Sequence, residues 1–230
     1  MRTPKEILEL QEQSIARSKK ALAQVNDDKL IAWNSSRLIH NALMAWLMAK
    51  RHDLNFTIEE LLSSITTFEE NIAEISEQPE SNYTYYLLAC MICNKKPESQ
   101  ILEFAKSQAN DIEFLINSSV VPYVHYGLIS SDEVSNALEN RNKNLSVESA
   151  VIYLKLLALD GIPDNEVIET LSALFHRRKK DSFYSEARIY GGGPDNDMVC
   201  DVEFAAISST KGSGSVVVPA VNKALHRTSR

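Results

Sequence analysis

Apolar residues recur along most of this chain at the three-to-four-residue spacing that places them on one face of a helix. The first such segment runs from about Pro4 to Val25, with Leu8, Ile15 and Leu22 in register and Ile7, Ala16 and Val25 beside them. The second, from about Asp27 to Arg51, carries Leu30, Ile31, Trp33, Leu38, Ile39, Leu43, Met44, Trp46, Leu47 and Met48. Its C-terminal half is apolar on nearly every side, which predicts a central, buried helix. Both tryptophans fall in this segment, so the core is expected to organise around it. Thr57-Ile58-Glu59-Glu60 is a capping box, a hydroxyl three residues ahead of a glutamate. The helix it opens shows Leu61, Leu62, Ile65, Phe68, Ile72 and Ile75 in one stripe, with Gln78-Pro79 expected to end it.

A fourth helix is predicted from about Asn82 to Asn94, stopping at Lys95-Lys96. Pro97 then suits the first turn of a following helix, where a missing N–H costs nothing. From there Ile101, Phe104, Ala105, Ile112, Leu115 and Ile116 continue at helical spacing. The last helix of the body, about Asp164 to Lys180, ends in His176-Arg177-Arg178-Lys179-Lys180. Cations at that end complement the helix dipole. Without interleaved stacking aromatics, they fit that structural role better than a nucleic-acid patch.

A weak internal repeat runs through the middle of the chain. Leu88 to Ile101 aligns with Leu154 to Val167 so that Pro97 meets Pro163, and half that offset brings in a middle copy around Gly127-Leu128-Ile129-Ser130. The resulting period of 33 residues, with helix, short turn and helix in each unit, is that of stacked helical hairpins. The landmarks of the tetratricopeptide consensus are missing. The expected fold is therefore all-α: a helical bundle or short α-solenoid of helical hairpins with an irregular Gly-rich loop near the C-terminus. One helical domain, 1–230, is expected, comprising N-terminal helices (1–80), possible hairpin repeats (81–180) and a loop, last helix and tail (181–230).

Five of the seven glycines follow residue 190, where Gly191-Gly192-Gly193-Pro194 breaks the helical pattern. A loop is expected over Asp181 to Val199, then a helix from about Val199 to Ser209 with Gly212 as its C-cap. Ser215 to Pro219 has the composition of a short strand, and the tail from Asn222 is expected to fray.

Composition narrows the function. No run of about 18 apolar residues occurs, so no membrane span is expected. The N-terminus opens directly into an amphipathic helix rather than a secretory signal, which points to the cytoplasm. Net charge is −7, and the first 210 residues hold 20 basic against 31 acidic groups. That balance argues against direct nucleic-acid binding and favours a basic protein partner. Cys90, Cys93 and Cys200 are too few for a disulfide scaffold. Cys90 and Cys93 lie on an apolar helix with no second pair to complete a zinc site, so they read as structural thiols.

The five histidines are scattered, and the acids after Gly193 miss calcium-loop spacing. No nucleophile elbow, phosphate loop or dinucleotide fingerprint occurs. No catalytic residues, metal ligands or cofactor are therefore expected. What stands out is the stretch after Asp181, where aromatic and charged residues crowd together. Tyr184, Glu186, Arg188, Tyr190, Asp195, Asp197 and Asp201 are the candidate partner-binding residues, because Tyr and Arg anchor interfaces and long loops carry function.

The C-terminal third couples a basic helix end and this aromatic-charged loop to Asp201-Val202-Glu203-Phe204-Ala205-Ala206-Ile207, running into Lys211-Gly212. In layout, over roughly residues 145–212, it resembles the all-helical immunity proteins of bacterial polymorphic-toxin systems, the immunity-49 type. That resemblance implies a bacterial, cytoplasmic, non-catalytic protein that binds a cognate toxin effector and occludes its active site. The alternative is a helical-repeat adaptor or chaperone for a protein client, for example in a secretion system. It predicts an apolar concave groove.

Overall fold

The structure is a computed structural model that describes residues 3–73, 75, 83–160, 163–180 and 196–211. Eleven helices and no strand occur among the described residues. The chain divides into two compact units, Met1–Ser107 and Gln108–Arg230.

In the first unit the local sequence sets each boundary. α1 (Pro4–Leu22) starts at Thr3, whose hydroxyl accepts from the Glu6 N–H while the Glu6 carboxylate accepts from the Thr3 N–H. Proline at the first helical position completes that signal. α1 ends at Leu22, short of Val25. α2 (Asp28–His52) begins after Asp27, whose carboxylate accepts from the Leu30 N–H, and closes on Asp53 in the left-handed region at φ 52°. α3 (Ile58–Ala73) opens at the Thr57–Glu60 capping box. Gln78-Pro79, the expected terminator, lies outside the described residues. α4 (Thr84–Ile92) and α5 (Ser99–Ala109) follow, with the division between units in the last turn of α5.

α2 is the hub of this unit, packing against α1, α3 and α4. From Leu38 to Ala49 every residue except His40 is buried, because the helix has neighbours on several sides. Phe68 of α3 stacks on Tyr86 of α4 at 4.8 Å between centroids. The tryptophans do not behave as expected. Trp46 is buried, but Trp33 is 57% exposed, so it belongs to the surface and not to the core. Ile31, Ala32, Asn34 and Ser35 in the same turns are buried, so Trp33 stands on the outward face of α2 there, with the Arg37 guanidinium 5.2 Å from its ring centroid.

The second unit holds α6 (Ile112–Ser118), α7 (Val121–His125), α8 (Ser131–Glu139), α9 (Leu145–Ala158), α10 (Asn165–Lys180) and α11 (Asn196–Lys211). Here α9 is the hub, in contact with α6, α7, α8, α10 and α11. Two expectations need correction. Pro97 is buried ahead of α5, not in its first turn, since Glu98 supplies the first helical carbonyl, to the Leu102 N–H. The apolar run from Ile101 to Ile116 is broken as well. Asp111 caps α6 by accepting from the Phe114 N–H at 3.1 Å, and a cap there outcompetes continuation of α5. α11 also starts earlier than expected, at Asn196. Gly212 and the strand-like Ser215 to Pro219 lie outside the described residues.

At the 33-residue offset, the turns after α4 and α7 share one geometry. Asn94 (φ 49°) and Gly127 (φ 68°) both adopt left-handed backbone. Lys95 N–H donates to Cys90 O and Leu128 N–H to Tyr123 O, each at 2.8 Å, the long bond of a helix-ending αL turn. The helices they close differ, with 9 residues in α4 and 5 in α7.

Candidate functional site

α8, α9 and α10 leave a groove between them, and it is a product of how α9 is covered. Asn144 caps α9 by accepting from the Val147 N–H, and Ser130 with Glu133 forms a reciprocal capping box on α8. Val147, Ala150, Ile152, Leu154 and Leu156 bury most of α9's surface. One strip is left over, along which Val151, Lys155 and Ala158 are exposed, Val151 at 36% being its large apolar side chain. The groove beside it encloses about 620 Å³. Leu138 of α8, Val147 and Ile152 of α9 and Leu174 of α10 form its apolar floor, and its rim carries Glu139, Arg141, Lys143, Glu148 and Lys155. Arg141 is ion-paired with Glu113 of α6. At the far end of α9, Lys211 of α11 donates to the Leu159 carbonyl at 2.6 Å.

The first unit contains a polar cluster of a different kind. Tyr86 donates to Glu69 at 2.7 Å and accepts from the Glu98 N–H at 2.9 Å. Lys95 pairs with the same Glu69 carboxylate. The cluster ties α3, α4 and the start of α5 together with its groups mutually satisfied, which is structural work. Cys90 sits beside it. Burial pushes the Cys90 thiol up to about 12, partly opposed by its hydrogen bond with Tyr86, and burial pushes Cys93 to about 12 as well. Neither thiol is a thiolate at neutral pH, so this Cys-x-x-Cys is not poised as a nucleophile. The His40 ring meets Tyr85 edge-on at 4.9 Å, and burial lowers its pKa.

Of the sequence-derived candidates, Tyr184, Glu186, Arg188, Tyr190 and Asp195 lie outside the described residues. Asp197 and Asp201 fall in the first half of α11, where a loop had been expected at Asp197. The residues that line the groove were not singled out from the sequence, because its floor draws on positions 138, 152 and 174, which no local pattern joins. No group of three or more His, Cys, Asp and Glu side chains is placed to hold a metal among the described residues. Nor is any helix among them long and apolar enough to cross a membrane. No family model, curated protein or solved structure matches this chain.

Proposed function

We propose that this chain works in the cytoplasm by binding a protein, capturing a cognate bacterial toxin effector and covering that toxin's active site without making or breaking a bond. The observation that carries the reading is the acidity of the body, 31 acids against 20 bases over residues 1–210. On α1 and α3, burial and the neighbouring carboxylates of Glu60 and Glu9 hold the Glu12 carboxyl above its ordinary range, so negative charge there is crowded. A surface of this sign steers a basic partner and stands in for an anionic substrate. The layout resemblance to the immunity-49 type supplies the toxin as that partner. Tyr184, Arg188 and Tyr190 are the proposed anchors, with Glu186, Asp195, Asp197 and Asp201 as the acids around them. Coexpression with the toxin encoded beside this gene tests the reading. Copurification and protection of the host are expected, and a toxin that stays free and lethal removes it.

A second reading, a helical adaptor for a protein client, is favoured by one specific observation: the apolar-floored groove against α9. The two readings differ in partner number. A single tight complex supports the first, and several clients competing for one groove support the second.

A further inference from the structure

We propose that the N-terminal half of α2 is a self-association surface. A second copy of this chain lays its own α2 across it, antiparallel, with Leu30 against the partner's Trp33 and Arg37 against the partner's Asp27. Among the described residues the exposed large apolar side chains are Leu30, Trp33 and Val151, and the first two lie one turn apart here, at 51% and 57%. Their face of α2 is one that helices pack on. Further along it, at about the same angle round the helix, His40 meets Tyr85 of α4 at 4.9 Å between ring centroids. From Asn41 to Ala49 every residue is then buried. The face is covered from His40 onward and bare ahead of it. Trp and Arg, the residue types that anchor interfaces, stand together on the bare part.

The charges select a second copy. Arg37 holds its guanidinium 5.2 Å from the Trp33 ring centroid, and exposed Asp27 uses one carboxylate oxygen on the Leu30 N–H at 2.9 Å. Neither has an ion-pair partner among the described residues. They stand about 15 Å apart along the helix, at about 1.5 Å per residue, with residue 32 midway. The midpoint of Leu30 and Trp33 falls between residues 31 and 32. One two-fold axis at that level therefore pairs the apolar groups and the opposite charges together, which is the self-complementarity an isologous contact requires.

Like charges stay apart in this arrangement. Round the helix, Leu30 and Arg37 lie to one side of Trp33, by about 60° and about 40°, and Lys29 lies about 40° to the other. A two-fold axis across antiparallel helices sets each edge beside the same edge of the partner, so Lys29 does not face the partner's Arg37. Asp28 is turned about 140° away from Trp33 and has interactions of its own within the fold. Other occupants fit less well. An acidic protein drawn to Lys29 and Arg37 meets Asp27 as a like charge. Anionic lipid is repelled by a protein of net charge −7. Two apolar anchors a side make a contact well under the roughly 800 Å² per partner of a stable complex, so the dimer is weak, with a Kd on the order of 100 μM.

Sedimentation equilibrium of the full chain from about 1 μM to about 1 mM is expected to show monomer passing to dimer. Trp33→Glu and Leu30→Glu, at exposed positions, are expected to stay monomeric over that range with the circular dichroism spectrum unchanged. Asp27→Asn keeps the helix cap and removes the charge, and it is expected to weaken the dimer roughly fivefold, as is Arg37→Gln. The double variant is expected to be no weaker than the weaker single, because both changes break the same contact. Trp46 is buried, so acrylamide quenching reads Trp33, and it is expected to fall as the dimer fills. A chain that remains monomeric up to about 1 mM overturns the inference. So does a dimer that survives Trp33→Glu, or one indifferent to both charge changes. A monomer that loses its toxin on Trp33→Glu gives the face to that partner, and Trp33 shielded only by anionic vesicles gives it to lipid, and either result also overturns it. The toxin reading stands or falls separately, by coexpression.

Discussion

From Leu38 to Ala49, α2 hides every residue but His40, since α1, α3 and α4 pack around it. Ahead of that stretch the same helix exposes Leu30 and Trp33, at 51% and 57%, while α9, which touches more helices, exposes Val151 at 36% beside an open groove. Both helices are central to their units, and both would be read from sequence as core. The contrast teaches that apolarity on all sides makes a helix central without deciding whether it is fully covered. Coverage depends on the length and angle of its neighbours, and the elements around α9 include helices of only 5, 7 and 9 residues. Short helices cannot wrap a longer one along its whole length. In this account the uncovered strip is where binding becomes possible.

The contrast breaks if removing the Val151 side chain costs as much as removing a fully buried leucine from either hub helix. Leu43→Ala in α2 and Leu156→Ala in α9, both at 0% exposure, are each expected to lower unfolding free energy by about 2–5 kcal/mol. Val151→Ala is expected to cost less, about 1 kcal/mol, because its side chain is partly exposed and the change removes only its methyl groups. Urea unfolding of the three variants provides the comparison, and a Val151 cost near that of Leu43 would mean the strip is covered.

Tyr86→Phe comes next, at about 1–3 kcal/mol. It strips Glu69 of a donor and leaves the Glu98 N–H without an acceptor, a penalty with no counterpart beside the groove.

Titration sharpens the picture of the first unit. Because folding raises the Cys90 and Cys93 pKa to about 12, the unfolded chain ionises them first as pH rises past about 8.5. Stability is therefore expected to fall from there towards pH 12, with urea midpoints of a Cys90→Ala, Cys93→Ala variant declining less steeply over the same span. His40 acts at the other end. Its lowered pKa means the unfolded state binds the proton first, so its contribution is intact above about 6.5 and is lost as pH falls below that. His40→Gln should flatten this acid limb.

The smallest effect is expected at the αL turns. Gly127→Ala meets no neighbour within 4 Å, so only backbone strain counts, about 1 kcal/mol. Asn94→Gly should be close to neutral by the same urea assay, since both residues accept positive φ.

Much of the fold was legible because its signals are local. Thr3 with Glu6, Asp27, and Thr57 with Glu60 start three helices through a side-chain oxygen and a nearby N–H, all within a few residues. The same kind of signal stood at Asp111, where the apolar run through Ile116 concealed it. Trp33 was misjudged because its hydrophobicity was taken to place it inside, whereas Ile31, Ala32 and Ser35 beside it fill the buried face and leave it on the outward one. The groove was illegible for a deeper reason: Leu138, Val151 and Leu174 meet only through tertiary packing. The aromatic-charged segment around Tyr184 to Tyr190 was singled out by composition, and it lies outside the described residues.

Amide hydrogen exchange of the full chain tests the central claim that the stretch from Leu38 to Ala49 in α2 is covered on all sides and that α9 is not. Exchange is expected to be slowest from Leu38 to Ala49 and faster from Glu148 to Lys155. Equal protection of the two stretches would contradict it.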